Sequence, residues 1–266
     1  MMLTDMKNKI IVLTGSSGQL GQSYENLFLE HGATVIGLDL KDSKNNEVTK
    51  KYKDKRLFIK CDITNKEEIQ SALEKIVDRY GKPTNLINNA ALDSPPDSSK
   101  EETGPFEYYP EDSWDKVMNV NVKGPFLCSQ VFGSAMKSNG GGTIVNIGSI
   151  YGSVSPDQNL YEYRRKKGES FYKPVAYSAS KSALVNLTKY LAVYWAKFNV
   201  QVNMLTIAGV FNNQDKEFLD AYCKRIPIGR MANPDDYHGA LLLLCSDMSK
   251  YMTGSNLVVD GGWTAI

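Results

Sequence analysis

Tyr177 and Lys181, in the run Tyr177-Ser178-Ala179-Ser180-Lys181, place an ammonium four residues after a titratable phenol. Residues four apart share a helix face, so Lys181 lies beside the phenol and favours the phenolate. Such a pair is a general acid/base. A free tyrosine has a pKa of about 10, so proton exchange near neutral pH needs a shift of a few units, each equivalent to roughly 1.4 kcal/mol, and Lys181 is the candidate source. The run Tyr163-Arg164-Arg165-Lys166-Lys167 repeats the spacing. Tyr177, however, opens a series, Ala179, Ala183, Leu184, Leu187, Leu191, Ala192 and Trp195, with apolar residues every three or four positions, as a buried helix requires. Tyr163 lies in a charged stretch that lacks this period and ends at Gly168. A core tyrosine on a packed helix would satisfy the same pattern, so the rest of the chain has to decide.

The elements that must position this pair alternate. Short β-branched runs at Ile10 to Leu13, Thr34 to Leu38, Leu57 to Lys60, Asn85 to Ile87, Thr143 to Ile147, Val200 to Ile207 and Asn256 to Val259 read as strands. Between them lie helical patterns from about Gly18 to His31, Lys66 to Tyr80, Trp114 to Lys137, Ala176 to Phe198 and Pro234 to Cys245. Continuous apolar strands separated by helices indicate a parallel sheet covered on both faces. The expected fold is α/β, one doubly wound, Rossmann-like domain over residues 1–266, with ligands at the carboxyl ends of the strands.

Composition narrows the function. The 266 residues, 42% hydrophobic, can bury a full core, and 31 Lys and Arg against 30 Asp and Glu leave a formal charge of +1. That balance gives no general reason to expect nucleic acid or membrane binding. The start shows no signal-peptide apolar region and no long apolar span follows, so a soluble cytoplasmic protein is expected. Cys61, Cys128, Cys223 and Cys245 form no Cys-x-x-Cys pair, and only His31 and His238 could join them, so no metal site is expected. Cys61 and Cys245 read as packing residues. His31, before Gly32 at a helix end, reads as a cap.

Directly after the first strand, Thr14-Gly15-Ser16-Ser17-Gly18-Gln19-Leu20-Gly21 opens a helix. Glycines let the backbone turn tightly and approach a pyrophosphate, and the helix N-terminus offers unpaired N–H groups and a positive dipole end. Asp39 ends the second strand eighteen positions beyond Gly21. A carboxylate there accepts hydrogen bonds from the adenosine ribose and repels a 2'-phosphate, which favours NAD over NADP. Lys41 keeps mixed specificity open, and a turn or capping role is the alternative for Asp39.

With these motifs in place, the chain resembles the short-chain dehydrogenase/reductase family, in its compact single-domain branch, over nearly its whole length. The likeness extends to Cys61-Asp62-Ile63, Asn88-Asn89-Ala90, Asn119-Val120-Asn121-Val122-Lys123-Gly124, Ile144 to Ser149, Ile226-Pro227-Ile228-Gly229-Arg230 and Thr253 to Gly262. The resemblance implies that Ser149 hydrogen-bonds the reacting oxygen, Tyr177 exchanges its proton, Lys181 binds the nicotinamide ribose and lowers the tyrosine pKa, and Asn121 holds a relay water. It further implies a cofactor groove formed by Thr14, Gly15, Ser17, Gly18, Leu20, Gly21, Asp39, Asp62, Ile63, Asn88, Ala90, Tyr177, Lys181, Gly209 and Val210. It also implies a homo-oligomer, tetramer or dimer, joined through the Trp114 to Lys137 helix and the Tyr177 helix, the alternative being that their apolar residues cover the sheet of their own subunit. Three features depart from the branch: Gly15, Gly18 and Gly21 are spaced as in the larger, epimerase-containing branch, Ala91 replaces a common glycine, and Ala208-Gly209 replaces Pro-Gly.

Residues 150 to 176 form a longer segment than the family leads one to expect, and long structureless loops in compact domains tend to be functional. This segment carries Tyr151, Tyr161, Tyr163, Phe171 and Tyr172 around the run Arg164 to Lys167. Arginine suits bidentate recognition of phosphate or carboxylate, so Tyr151, Arg164 and Arg165 are the candidate substrate contacts, a solvated surface run being the equal alternative. Residues 210 to 225 would form the other wall. The long loop is also similar to that of family members associated with bacterial surface-carbohydrate and flagellin-glycan biosynthesis. The small-molecule substrate this implies is a sugar or sugar phosphate. A 3-oxoacyl thioester or other small ketone, a sugar epimerase and a noncatalytic nucleotide-sensing module are the alternatives.

Overall fold

The structure is a computed structural model describing residues 6–43, 47–93 and 100–266. Seven strands, β1 (Ile10–Thr14), β2 (Thr34–Asp39), β3 (Arg56–Lys60), β4 (Asn85–Asn88), β5 (Gly142–Ser149), β6 (Val200–Ile207) and β7 (Asn256–Val259), pair in parallel in the order β3-β2-β1-β4-β5-β6-β7. The order reverses between β1 and β4, the point at which a doubly wound sheet offers a crevice beyond the carboxyl ends of its strands.

The helices are α1 (Gln19–Glu30), α2 (Glu47–Lys51), α3 (Lys66–Tyr80), α4 (Glu111–Met118), α5 (Gly124–Lys137), α6 (Glu162–Lys166), α7 (Val175–Trp195), α8 (Lys216–Cys223) and α9 (His238–Cys245). Successive strand residues point to opposite faces. Val12, Ile36, Leu86 and Ile144 therefore pack with Ile76 of α3, Phe132 of α5 and Trp195 of α7. Their neighbours Ile11, Val35, Ile87 and Val145 pack with Tyr24 and Phe28 of α1 and Leu241 and Leu244 of α9. Burial of both faces is why these strands read as unbroken apolar runs.

The expected Trp114 to Lys137 helix is interrupted. After α4, residues Asn119–Lys123 form a π turn in which the Gly124 N–H donates to the Asn119 carbonyl. Pro125 has no N–H with which to bond the Asn121 carbonyl four residues back, so the ladder widens there. At the end of α1 the His31 ring Nδ1–H donates to the Leu27 carbonyl at 2.8 Å, the cap its position suggested.

The segment after β5 is not structureless. It holds a 3₁₀ turn at Gln158–Tyr161 and then α6. Leu160, Tyr161 and Phe171 pack against Tyr222, Ile226 and Met231, so this segment and the one after β6 share a small core of their own. Among the described residues no helix is long and apolar enough to cross a membrane, the four cysteines are unpaired, and no His/Cys/Asp/Glu group is arranged to hold a metal ion.

Candidate active site

The glycine turn is built by close approach. Gly15 has a φ of +64°, and a Cβ there would lie 2.7 Å from the Ala90 Cα. At Gly21 a Cβ would lie 2.1 Å from the Gly15 carbonyl oxygen, so α1 can fold back over the turn only with glycine present. Gly18 differs: a Cβ would meet nothing nearer than the Gly15 oxygen at 3.6 Å. Its bareness is therefore turned outward, at the N-cap of α1, where no side chain caps the helix and the first turn carries no acid. Open N–H groups, a positive helix end and no opposing Cβ fit a pyrophosphate.

From this turn a groove of 630 Å³ runs across the strand ends. Of the expected cofactor residues, Gly15, Ser17, Gly18, Leu20, Gly21, Asp39, Asp62, Ile63, Ala90, Tyr177, Lys181 and Val210 line it. Three are placed otherwise. Thr14 is buried, its Oγ1 accepting from the Asn89 and Ala90 N–H groups at 3.0 Å each, which ties β1 to β4 behind the groove. Asn88 is buried too, donating to Asn146 Oδ1 at 2.8 Å and Ser129 Oγ at 3.2 Å. Gly209 lines the adjoining cleft instead. Asn89, which sequence reading passed over within the same motif, lines the groove and donates to the Thr14 and Gly15 carbonyls at 3.1 Å. Asp39 accepts from the Ser17 N–H at 2.9 Å through Oδ2 and from the Leu40 N–H at 2.7 Å through Oδ1, so it also braces the glycine turn.

Ser149 ends β5, and Tyr177 and Lys181 occupy the first turns of α7. What joins them is the turn Ile150–Gly152: a Cβ on Gly152 would lie 2.9 Å from the Lys181 carbonyl oxygen, and Ser182 Oγ donates to the Gly152 carbonyl at 3.0 Å. This contact sets the Ser149 hydroxyl, which accepts from the Tyr151 N–H at 3.2 Å, beside the Tyr177 phenol. Lys181 is buried, its Nζ donating to the Ile147 carbonyl at 2.9 Å and standing 5.6 Å from the centre of the Tyr177 ring.

The electrostatics depart from the expectation. Burial, reinforced by the Asp93 carboxylate, raises the Tyr177 pKa, and the neighbouring Ser149 hydroxyl only partly opposes this. Burial also lowers Lys181, to about 8, against a smaller opposing pull from Asp93. In the protein alone, then, the phenol is held protonated. Asn121 is anchored by three hydrogen bonds. Its side chain accepts from the Leu92 N–H at 2.7 Å and donates to the Leu92 carbonyl at 2.9 Å and Ser180 Oγ at 3.0 Å. That side chain fixes the groove wall against α7, and it lies in the π turn.

A second cleft, of 350 Å³, adjoins the groove at Tyr177 and is bordered by Ser149. Tyr151, Tyr161, Tyr163 and Phe171 from one loop and Asn212, Asp215, Phe218 and Tyr222 from the other form its walls. Of the expected substrate contacts, Tyr151 lines this cleft. Arg164 and Arg165 do not. Arg164 pairs with Glu169 at 2.6 Å and lies over the Phe171 ring, while Arg165 donates to the Phe171 and Gln158 carbonyls at 2.9 and 2.7 Å. Both guanidiniums brace their own loop. Among the described residues the cleft's charged lining is instead Asp93, Asp215 and Lys173, which no periodicity or motif singled out.

Comparison with known proteins accords with this geometry. The profile of the family described as Enoyl-(Acyl carrier protein) reductase matches residues 19–264. An NAD-dependent glycerol dehydrogenase of Listeria innocua is 33% identical over 98% of this chain and 95% of its own. A post-translational flagellin modification protein A of Campylobacter coli is 30% identical over 97% of this chain and 99% of its own. A short-chain dehydrogenase of Leptospira borgpetersenii, solved with bound NAD+, superimposes with a TM-score of 0.86 at 33% identity, covering 98% of this chain and 94% of that one.

Proposed function

The chain belongs to the short-chain dehydrogenase/reductase family and is an oxidoreductase served by a nicotinamide cofactor; on that premise we propose that it interconverts a secondary hydroxyl and its ketone on a neutral, polyhydroxylated small molecule, using NAD. The observation that carries the substrate reading is the charge of the second cleft. Among the described residues it is lined by two carboxylates, Asp93 and Asp215, and one ammonium, Lys173, while both loop arginines are engaged elsewhere. A phosphate would meet net negative charge there; a hydroxylated chain would meet phenols and polar side chains. The glycerol dehydrogenase among the relatives supports the same class.

When bound, the nicotinamide supplies the hydride chemistry. Ser149 Oγ hydrogen-bonds the reacting oxygen, and Tyr177 exchanges its proton. The raised phenol pKa keeps that proton on the tyrosine, ready to be donated to a developing alkoxide in the reducing direction. In the oxidising direction Tyr177 must first lose it, and Lys181, which titrates near pH 8, is the group beside it that changes charge over the working range. Asp39, at the end of β2 and lining the groove, supports the choice of NAD.

A role in surface-glycan assembly draws support from the flagellin modification relative. In this cleft it would have to act on an uncharged sugar. The test is a substrate survey following reduced-nicotinamide absorbance: polyols and free sugars, gluconate as an anionic polyol, sugar phosphates, nucleotide sugars and acyl thioesters. Highest kcat/KM on a neutral polyol or sugar is expected. Preference for a phosphorylated substrate or a thioester would overturn the reading.

A further inference from the structure

We propose that Lys173, paired with Asp93 and sharing its cleft with Tyr151, is a specificity-determining residue that reads a second hydroxyl of the substrate, next to the one that reacts. This rests on the polyol reading and names the groups that enforce it.

Lys173 lies just before α7, and its backbone is fixed from both sides by one side chain. Its N–H donates to Gln158 Oε1 at 2.8 Å, and Gln158 Nε2 donates to the Lys173 carbonyl at 3.1 Å. The side chain is only 7% exposed, yet it borders the cleft, with Nζ 5.2 Å from the centre of the Tyr177 ring and 2.5 Å from Asp93 Oδ1. An ammonium has three donors, and among the described residues Asp93 is the one hydrogen-bond acceptor that Lys173 Nζ meets. Asp93 is 53% exposed, so this pair adds little to stability and does not account for burying the lysine stem.

Tyr151 supplies an independent observation. It is buried, lines the same cleft, and among the described residues its hydroxyl has no hydrogen-bond partner. Leaving a buried phenol unsatisfied is unfavourable. Two polar groups with unmet capacity, one cationic and one neutral, thus border the cleft beside the Ser149–Tyr177 pair. A hydroxyl on the carbon chain beside the reacting centre answers both, accepting from Lys173 and Tyr151 and donating to Asp93. A monohydroxy alcohol answers neither.

The experiment compares kcat/KM for threitol and for 2-butanol, with NAD, in the wild type and in Lys173→Met, Lys173→Gln and Tyr151→Phe. The wild type should prefer threitol. Loss of a charged hydrogen bond in Lys173→Met should narrow that preference by roughly 10- to 150-fold. Lys173→Gln, which keeps a donor, should fall between the two, and Tyr151→Phe should narrow it by roughly 2- to 10-fold. NAD affinity, measured by protein fluorescence, checks that each variant is folded. An equal drop on both substrates in the folded lysine variants would show that Lys173 only supports the loop, and would overturn the inference while leaving the polyol reading in place. A wild type that does not prefer polyols in the survey overturns both.

Discussion

Replacing Lys181 by Met should abolish turnover and at the same time make the protein more stable at neutral pH. Lys181 is 4% exposed, and burial lowers its pKa from 10.5 to about 8. At about 1.4 kcal/mol for each pH unit, keeping it charged in the folded protein costs roughly 3 kcal/mol at pH 7. Methionine removes that cost and also the 2.9 Å bond to the Ile147 carbonyl, whose loss takes back about 1 to 2 kcal/mol. The variant should therefore be about 1 to 2 kcal/mol more stable at pH 7, raising the unfolding midpoint by roughly 2 to 8 °C. The pH dependence follows from the direction of the shift. Below pH 8 the lysine is protonated whether the chain is folded or not, and the full cost stands. Between about 8 and 10.5 the folded chain has released the proton while the unfolded chain keeps it, so wild-type stability rises relative to the variant. The two should cross before pH 10.5, the variant then lacking only its hydrogen bond. Urea unfolding of both proteins from pH 7 to 10, followed by circular dichroism, measures the gap; other titrating groups cancel in the difference. A gap that stays flat with pH, or a variant less stable at pH 7, would refute the reasoning.

Four further outcomes are expected. Tyr177→Phe should keep NAD affinity and lose roughly 10²- to 10⁴-fold in turnover, whereas Tyr163→Phe, whose hydroxyl donates to Asp215 at 2.8 Å, should lose far less; the reverse order in steady-state kinetics would exchange the assignments. Asp39→Ala should shift the ratio of kcat/KM for NAD over NADP towards NADP, and an unchanged ratio would remove Asp39 from cofactor choice. Gly21→Ala should lower the melting temperature because its Cβ would meet backbone at 2.1 Å, while Gly18→Ala, with 3.6 Å of room, should melt like the wild type but raise the KM for NAD; equal melting losses would show that both glycines serve the fold alone. The exposed Tyr190, Val193 and Tyr194 of α7 and Phe126 of α5 are expected to join copies of the chain as dimers or tetramers, and sedimentation velocity showing a monomer at micromolar concentration would contradict this.

The strands were legible because parallel strands covered on both faces need unbroken apolar runs, and the observed ends differ from the expected ones by two residues at most, as at Gly142–Ser149 against Thr143 to Ile147. The break in the helix after β4 had a sign, Gly124-Pro125, which a hydrophobic period alone overrides. Helix α8 lay within a stretch read only as a wall, and α6 within one read as loop. In the candidate site, spacing correctly put Tyr177 and Lys181 on one helix face. It could not give the charge on either, which depends on burial and on the Ile147 carbonyl contributed by a distant strand. The four-residue basic run drew attention to Arg164 and Arg165, because charge density is visible in a sequence and side-chain direction is not. Lys173, a single lysine before a proline, carries no pattern; only the fold brings it to Tyr177 and Asp93.

The small core shared by the two segments that wall the second cleft is separate from the cores on either face of the sheet. Leu160, Tyr161 and Phe171 on one side and Tyr222, Ile226 and Met231 on the other fill each other's space, so neither segment is an independent unit of inheritance. Grafting the 150–176 segment of another enzyme onto this scaffold would orphan half of that interface, whereas moving both segments together would carry a finished wall. For anyone redesigning this enzyme, the exchangeable part is the pair.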